Sequence, residues 1–473
     1  MSIYLVFFLV ALTAFGLLYF KWLTEHTDTL FWTCFLLYFD PGGFFAGLLD
    51  MGLLGRIKPY DLFFVLMMVA WRVSGYWKIE TKFRIHRQYL AVFIVYSLYF
   101  TFVYGYFVPM HYGYNDFMLF LQKNRQFLYC PFIFLAVYQF GYMSINKLLK
   151  PLLYTASLMF LAFFFTVLTG IEIVPVYKFT RFVEEDRISL LSYGLSYYIL
   201  PMGIISLFLK DRLPRHFQRV IILLTSLMFI TIVLTLTRRE FIRILFMLIS
   251  IPLLTSYISG KSFGPGYRKL INFLLLPLLL LLVFFPVYID FSADILENLF
   301  QFLDPDKSNN LTDYRVSGGG DLVFVKQIII DHPLMGIGYY PAPWSEVIAM
   351  KESGSILGLA LDASSEVQIY GSTMRLGFIG LILPIFIHVS IIIMALKAGR
   401  FFKQHFALIK NHIFELLLAL TILYYFITLF TTELFSLFVE FYHPPKFANY
   451  SALLALFLAI YSRLNFRLIK SKQ

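Results

Sequence analysis

The chain has 473 residues, 59% hydrophobic and only 14% charged, with a mean hydropathy of +0.75. A soluble domain carries roughly 25% charged residues, so these values exclude a water-soluble globule. Its net charge of +11 falls in short stretches between apolar runs, where positive charge sets membrane topology, and that placement argues against nucleic acid as a partner.

Apolar runs of about 20 residues indicate transmembrane helices, whereas a β-barrel would show alternating segments of about 10. The expected fold class is therefore all-α, a polytopic transmembrane helical bundle. Cys34 and Cys130 both lie in apolar runs, with no disulfide framework and no CxxC spacing. Neither a metal nor another cofactor is expected.

The first expected span covers residues 2–20. It lacks a basic leader and a small-residue cleavage site, and reads as a retained helix. A second apolar region, 29–54, is broken at Pro41-Gly42-Gly43, as one kinked helix or a re-entrant pair. Helices over 60–77, 89–110 and 126–143 follow, separated by a basic loop (Lys78, Lys82, Arg84, Arg87) and the nearly uncharged stretch 111–123. Lys147 and Lys150 precede 151–170. The loop 171–188 mixes Glu172, Glu184, Glu185 and Asp186 with Lys178, Arg181 and Arg187. Residues 190–209 lead to Lys210, Arg212, Arg215 and Arg219. Spans 220–237 and 241–258 lead to Lys261, Arg268 and Lys269, and 270–288 leads into a long polar stretch.

After that stretch, 376–396 reaches Lys397, Arg400 and Lys403, and 412–430 follows. The last span, 447–462, ends at Arg463, Arg467, Lys470 and Lys472. Basic and non-basic loops alternate from residue 78 onward. This predicts a cytoplasmic C-terminus, an outer long loop and 12 or 13 spans. The expected division is a transmembrane bundle at 1–288, a large loop containing short helices at 289–366, and C-terminal transmembrane helices at 367–473. No internal repeat of the transporter kind is visible.

Candidate chemistry gathers in Asp290–Arg375 and in one turn before it. Arg238 and Arg239 lie between two apolar runs on the expected outer side, where topology does not call for them. They read either as a solvated turn paired with Glu240 or as an anion site, since guanidinium groups hold phosphate through charge-assisted hydrogen bonds. Downstream of Arg315, apolar residues Leu322, Val325, Ile329 and Ile330 predict a helix over 321–331. Asp331-His332-Pro333 ends it, because proline disfavours helical geometry in the residue before it, and Gly336 and Gly338 allow a tight turn. His332 reads as a turn or packing residue, or as a base. Glu366 lies where the chain re-enters the apolar phase. It reads either as a proton acceptor with a pKa raised by partial desolvation, or as a helix N-terminal acid or partner of Arg375.

Three elements occur in order: Thr235-Leu236-Thr237-Arg238, then Arg315 ahead of His332-Pro333-Leu334-Met335-Gly336-Ile337-Gly338, then Gly377-Phe378-Ile379-Gly380 opening a helix. Their order and placement over residues 230–385 resemble the O-antigen polymerase/ligase superfamily. The resemblance implies metal-independent glycan transfer on the periplasmic face of a bacterial inner membrane, and attack by the acceptor from the face opposite the leaving group would make it inverting. It also implies an undecaprenyl-diphosphate-linked glycan, membrane lipid and a chain-length regulator protein as partners. Arg238, Arg239, Arg315 and Arg375 would hold the diphosphate, with Arg238 and Arg315 catalytic. Glu366 stands where ligases of the family carry a histidine, and would deprotonate the acceptor. This favours a polymerase over a ligase acting on lipid A–core; a polysaccharide transporter or flippase is the alternative from another class.

Overall fold

Runs of Leu, Ile and Phe bounded by Pro, Gly or basic residues fold as helices, since an apolar setting requires each segment to satisfy its own backbone. The structure, a computed structural model, describes residues 26–38, 59–78, 84–111, 117–169, 196–209, 213–234, 238–260, 267–268, 270–272, 274, 322–338, 349–350, 352–363, 368–409, 411–431 and 444–470. Their long elements, all helical, are α1 (Thr27–Tyr38), α2 (Pro59–Val73), α3 (Arg84–Tyr99), α4 (Val108–His111), α5 (Phe117–Ser144), α6 (Leu149–Thr169), α7 (Ser196–Phe208), α8 (Arg215–Leu234) and α9 (Arg238–Ser259). They continue with α10 (Leu322–Asp331), α11 (Ile356–Ala363), α12 (Gln368–Gln404), α13 (Phe406–Ile409), α14 (Ile413–Thr431) and α15 (Pro444–Lys470). Among the described residues, four stretches are long and apolar enough to cross a membrane: Ile85–His111, Asn124–Lys147, Tyr370–Gln404 and Phe447–Leu468.

The centre of the bundle is the parallel pair α5 and α15. Phe127 packs on Phe447 with ring centroids 5.2 Å apart, and Tyr138 donates to Ser462 at 3.2 Å. Ala448, Ala452, Ala455 and Ala459 are all buried on α15, and a Cβ on Gly141 would stand 2.8 Å from that of Ala459. Small residues of this kind let helix backbones approach closely where hydrophobic driving force is weak. Arg463 closes the lower end by donating to the carbonyls of Tyr142 (2.7 Å) and Met143 (2.9 Å), which α5 leaves without helical partners. Helix α3 runs antiparallel to α5 (Phe93 on Phe134, His86 on Tyr138) and to α12, where Tyr89 donates to the Ser390 carbonyl. Helix α14 runs antiparallel to α15.

Basic residues meet acids at the end of the bundle where α5 finishes. Lys147 pairs with Asp28, and Glu415 accepts from Arg467 (3.1 Å) and lies 3.6 Å from Arg463 Nε. His412, just ahead of α14, accepts a 2.6 Å hydrogen bond at Nδ1 from Arg467, which requires that nitrogen to be unprotonated. Burial, then the Arg467 guanidinium, lowers its pKa below 6.5, against the opposing pull of Glu415. A histidine pKa depressed by folding adds stability that is complete above the unfolded value of about 6.5 and is lost as pH falls below it. The melting temperature should therefore drop between about pH 7.5 and about pH 5.5, and His412→Asn should flatten that slope.

Several boundaries differ from those expected. The 89–110 helix is α only to Tyr99; Phe100–Phe107 is a π-helix with i→i+5 bonding, followed by α4. Helix α5 begins at Phe117 instead of 126, and α12 begins at Gln368 and continues to Gln404, with a break at Gly377. Arg238 and Arg239 belong to the first helical turn of α9 and not to the connecting turn. A cation in that position opposes the helix dipole, so helix stability does not account for them. The 2–20 span, most of the 270–288 span, the Pro41 break and most of the long polar stretch lie outside the described residues.

Candidate functional site: a backbone interlock at one end of the bundle

Helix α10 ends where proline demanded it, with His332 donating its N–H to Ile328 O as the last helical bond. The chain then turns, Gly336 N–H bonding His332 O at 3.0 Å. This turn docks on α12 at Gly377, whose φ of 62° and ψ of −178° interrupt the helical ladder. The carbonyls of Met374 and Arg375 would otherwise serve Phe378 and Ile379. They accept instead from Ile337 N–H and Gly338 N–H, both at 2.9 Å. The displaced donors find new acceptors: Phe378 N–H bonds Pro333 O at 2.9 Å and Ile379 N–H bonds Leu334 O at 3.1 Å. Four hydrogen bonds thus pass between segments about 40 residues apart, and these backbone groups stay paired.

Glycine is required on both sides of this exchange. A Cβ on Gly377 would lie 2.3 Å from Leu334 O, and one on Gly336 2.5 Å from Met374 O. The conformation at Gly377 is one that essentially only glycine adopts. Against the same turn packs the π-helical segment: Tyr104 O and Pro109 line Gly338, while Tyr104 OH faces Gly380 and contacts Met335 Sδ at 3.9 Å. Beneath the turn, Val325, Ile328, Ile337, Ala360, Leu361 and Met374 form a small apolar core of their own. Helices α10 and α11 and the head of α12 are therefore one packed unit, joined to the bundle through the interlock.

The structure brings His332 and Arg375 into this unit. Both side chains are half-buried, and their carbonyls accept the Gly336 and Gly338 N–H groups. It also carries Arg238 toward the same end. Lys403 Nζ lies 3.9 Å from the Tyr257 ring centroid, so α9 and α12 finish together. The 19 residues back from Tyr257 to Arg238 cover roughly 28 Å at 1.5 Å per residue. The side chains of Arg238 and Arg239, and the whole of Arg315 and Glu366, lie outside the described residues.

Sequence reasoning missed two features at this end. Asp61 accepts from Arg125 at 2.7 Å and from Tyr129 OH at 3.1 Å, and Arg125 also donates to Tyr60 OH at 3.0 Å. Its guanidinium is committed to a carboxylate, and the cluster ties α2 to α5. The second is the π-helix, whose Gly105 packs against the Asn124 carboxamide. A glycine inside the aromatic run Tyr104-Gly105-Tyr106-Phe107 was the available signal, because an isolated glycine in a regular pattern often marks close backbone approach. No family model matches the chain, and neither does any curated protein or solved structure.

Proposed function

We propose that this chain is an inner-membrane glycosyltransferase that polymerises undecaprenyl-diphosphate-linked oligosaccharide units on the periplasmic face. The observation that supports this reading is the interlock. The His332–Gly338 motif and the Gly377–Gly380 motif, separate in sequence, form one backbone-bonded unit, and Arg238 is carried to the same end of the bundle. In the proposed reaction the acceptor hydroxyl attacks the anomeric carbon of a lipid-linked glycan. The bond from that carbon to the diphosphate oxygen breaks, and the lipid diphosphate leaves with the electron pair. Arg238 and Arg315 stabilise the developing charge by preorganised electrostatics, with Arg239 and Arg375 as further diphosphate contacts. Glu366 takes the hydroxyl proton, and attack from the face opposite the leaving group inverts the anomeric configuration.

Purified protein incubated with lipid-linked oligosaccharide should yield longer products. A donor that stays unextended under conditions where the protein remains folded overturns the reading. Arg238→Ala and Arg315→Ala are each expected to lower turnover by a factor of about 100 or more, the usual scale for removing one charge-stabilising donor, with the protein still in the membrane fraction. Unchanged product length and yield in Glu366→Gln would remove Glu366 from the mechanism.

A further inference from the structure

Buried serine and threonine hydroxyls in this bundle commonly bond back to the carbonyl four residues earlier. Thr225 does so to Ile221, Thr255 to Ile251, Thr421 to Leu417 and Ser462 to Leu458, at 2.6 to 2.8 Å. Ser97 and Thr101 do not. Both are fully buried, at 1% and 0% exposure, and neither hydroxyl has a hydrogen-bond partner among the described residues. The same holds for Oδ1 of Asn124, also 0% exposed, whose Nδ2 is spent on Phe120 O at 3.1 Å.

Their residues lie along the packing of α3 and its π-helical extension on α5. Ser97 and Thr101 lie one helical turn apart, and Thr101 leads by four residues to Gly105, so the three positions share a stripe. At Gly105 the missing side chain leaves room for Asn124, whose Nδ2 and Oδ1 would stand 2.9 Å and 3.1 Å from a Cβ there. Phe127, tilted against Phe100 with ring centroids 4.5 Å apart, and Phe134, at 5.5 Å from Phe93, line α5 alongside it. A buried oxygen left without a partner is costly in an apolar surrounding, and native proteins rarely tolerate several together. Buried polar groups that protein packing leaves unpaired are commonly served by ordered water.

We infer that the seam between the π-helical turn and α5 is an internal hydration site, in which water bonds Thr101 Oγ1, Asn124 Oδ1 and Ser97 Oγ. The inference stands apart from the proposed glycosyl transfer and needs no substrate.

Isosteric replacement distinguishes a hydrated seam from an empty one. Removing an orphaned hydroxyl is neutral or stabilising, whereas removing one that binds water strands the water's other partners. Thr101→Val and Ser97→Ala, in the full-length protein in detergent, are each expected to lower the melting temperature, and the double variant by less than the sum. Unchanged or raised melting temperatures in both single variants overturn the proposal. Because a poorly folded variant would also melt early, the wild-type protein is to be imaged by electron cryomicroscopy finely enough to show ordered water. Density bridging Thr101 and Asn124 is expected; apolar packing with no density there overturns the site.

Discussion

Gly377→Ala is expected to destabilise the purified protein by about 3 kcal/mol, through a glycine-only backbone conformation costing about 1–3 kcal/mol and overpacking costing about 1–3 kcal/mol. The overpacking is against backbone, since the new Cβ would sit 2.3 Å from Leu334 O and 2.6 Å from Gly336 N, which no rotamer change relieves. Relief requires the His332–Gly338 turn to separate from α12, breaking the four exchanged hydrogen bonds. Gly354→Ala is the matched control: its φ is +75°, but nothing lies within 4 Å of the position a Cβ would take. That variant meets only the conformational cost, about 1 kcal/mol. Melting temperatures and limited proteolysis of the α10–α11 region would report both. Equal stability of the two variants would mean that the interlock does not hold in solution. If glycosyl transfer occurs at this end, Gly377→Ala should also abolish it while the α5–α15 pair remains folded.

The second large effect is expected at the other end. Glu415 is 3% exposed and faces Arg463, Arg467 and His412, so Glu415→Leu strands the mostly buried Arg463 guanidinium beside the half-buried one of Arg467. Breaking a buried ion pair by removing one partner costs about 3–5 kcal/mol. Arg463 is held further by two α5 carbonyls and cannot easily swing to water. The measurement is thermal unfolding of Glu415→Leu, Arg463→Met and the double variant. The double variant should recover part of the loss, because the stranded charge is gone, although the Tyr142 and Met143 carbonyls then lose their donor. Strictly additive losses would show that Glu415 and Arg463 are not coupled.

Reading the sequence went furthest where the physics is local. The end of α10 at Asp331 follows from Pro333, and the turn after it from Gly336 and Gly338, whose φ values are +62° and +79°. What lay beyond reach was the other half of each contact. Gly377 reads as an ordinary helix-opening glycine, yet it is the point where the helix gives up two hydrogen bonds to a turn far away in the chain. Asp61 and Arg125 each read as a residue at the head of an apolar run; only packing of α2 on α5 makes them a pair. The π-helical bonding of Phe100–Phe107 likewise has no counterpart in helix propensity. It coincides with the packing of Tyr104 on Gly380 and of Gly105 on Asn124.

By itself, then, the sequence determined a helical, membrane-type chain, most helix positions and the glycine turn. Apolar content, proline sterics and glycine freedom act over a few residues and need no knowledge of neighbours. The tertiary structure alone decided that the turn and α12 exchange backbone hydrogen bonds, and which charges neutralise one another at each end. Those pairings depend on distances across space, and in a weakly driven apolar packing they are set by where small residues let backbones meet.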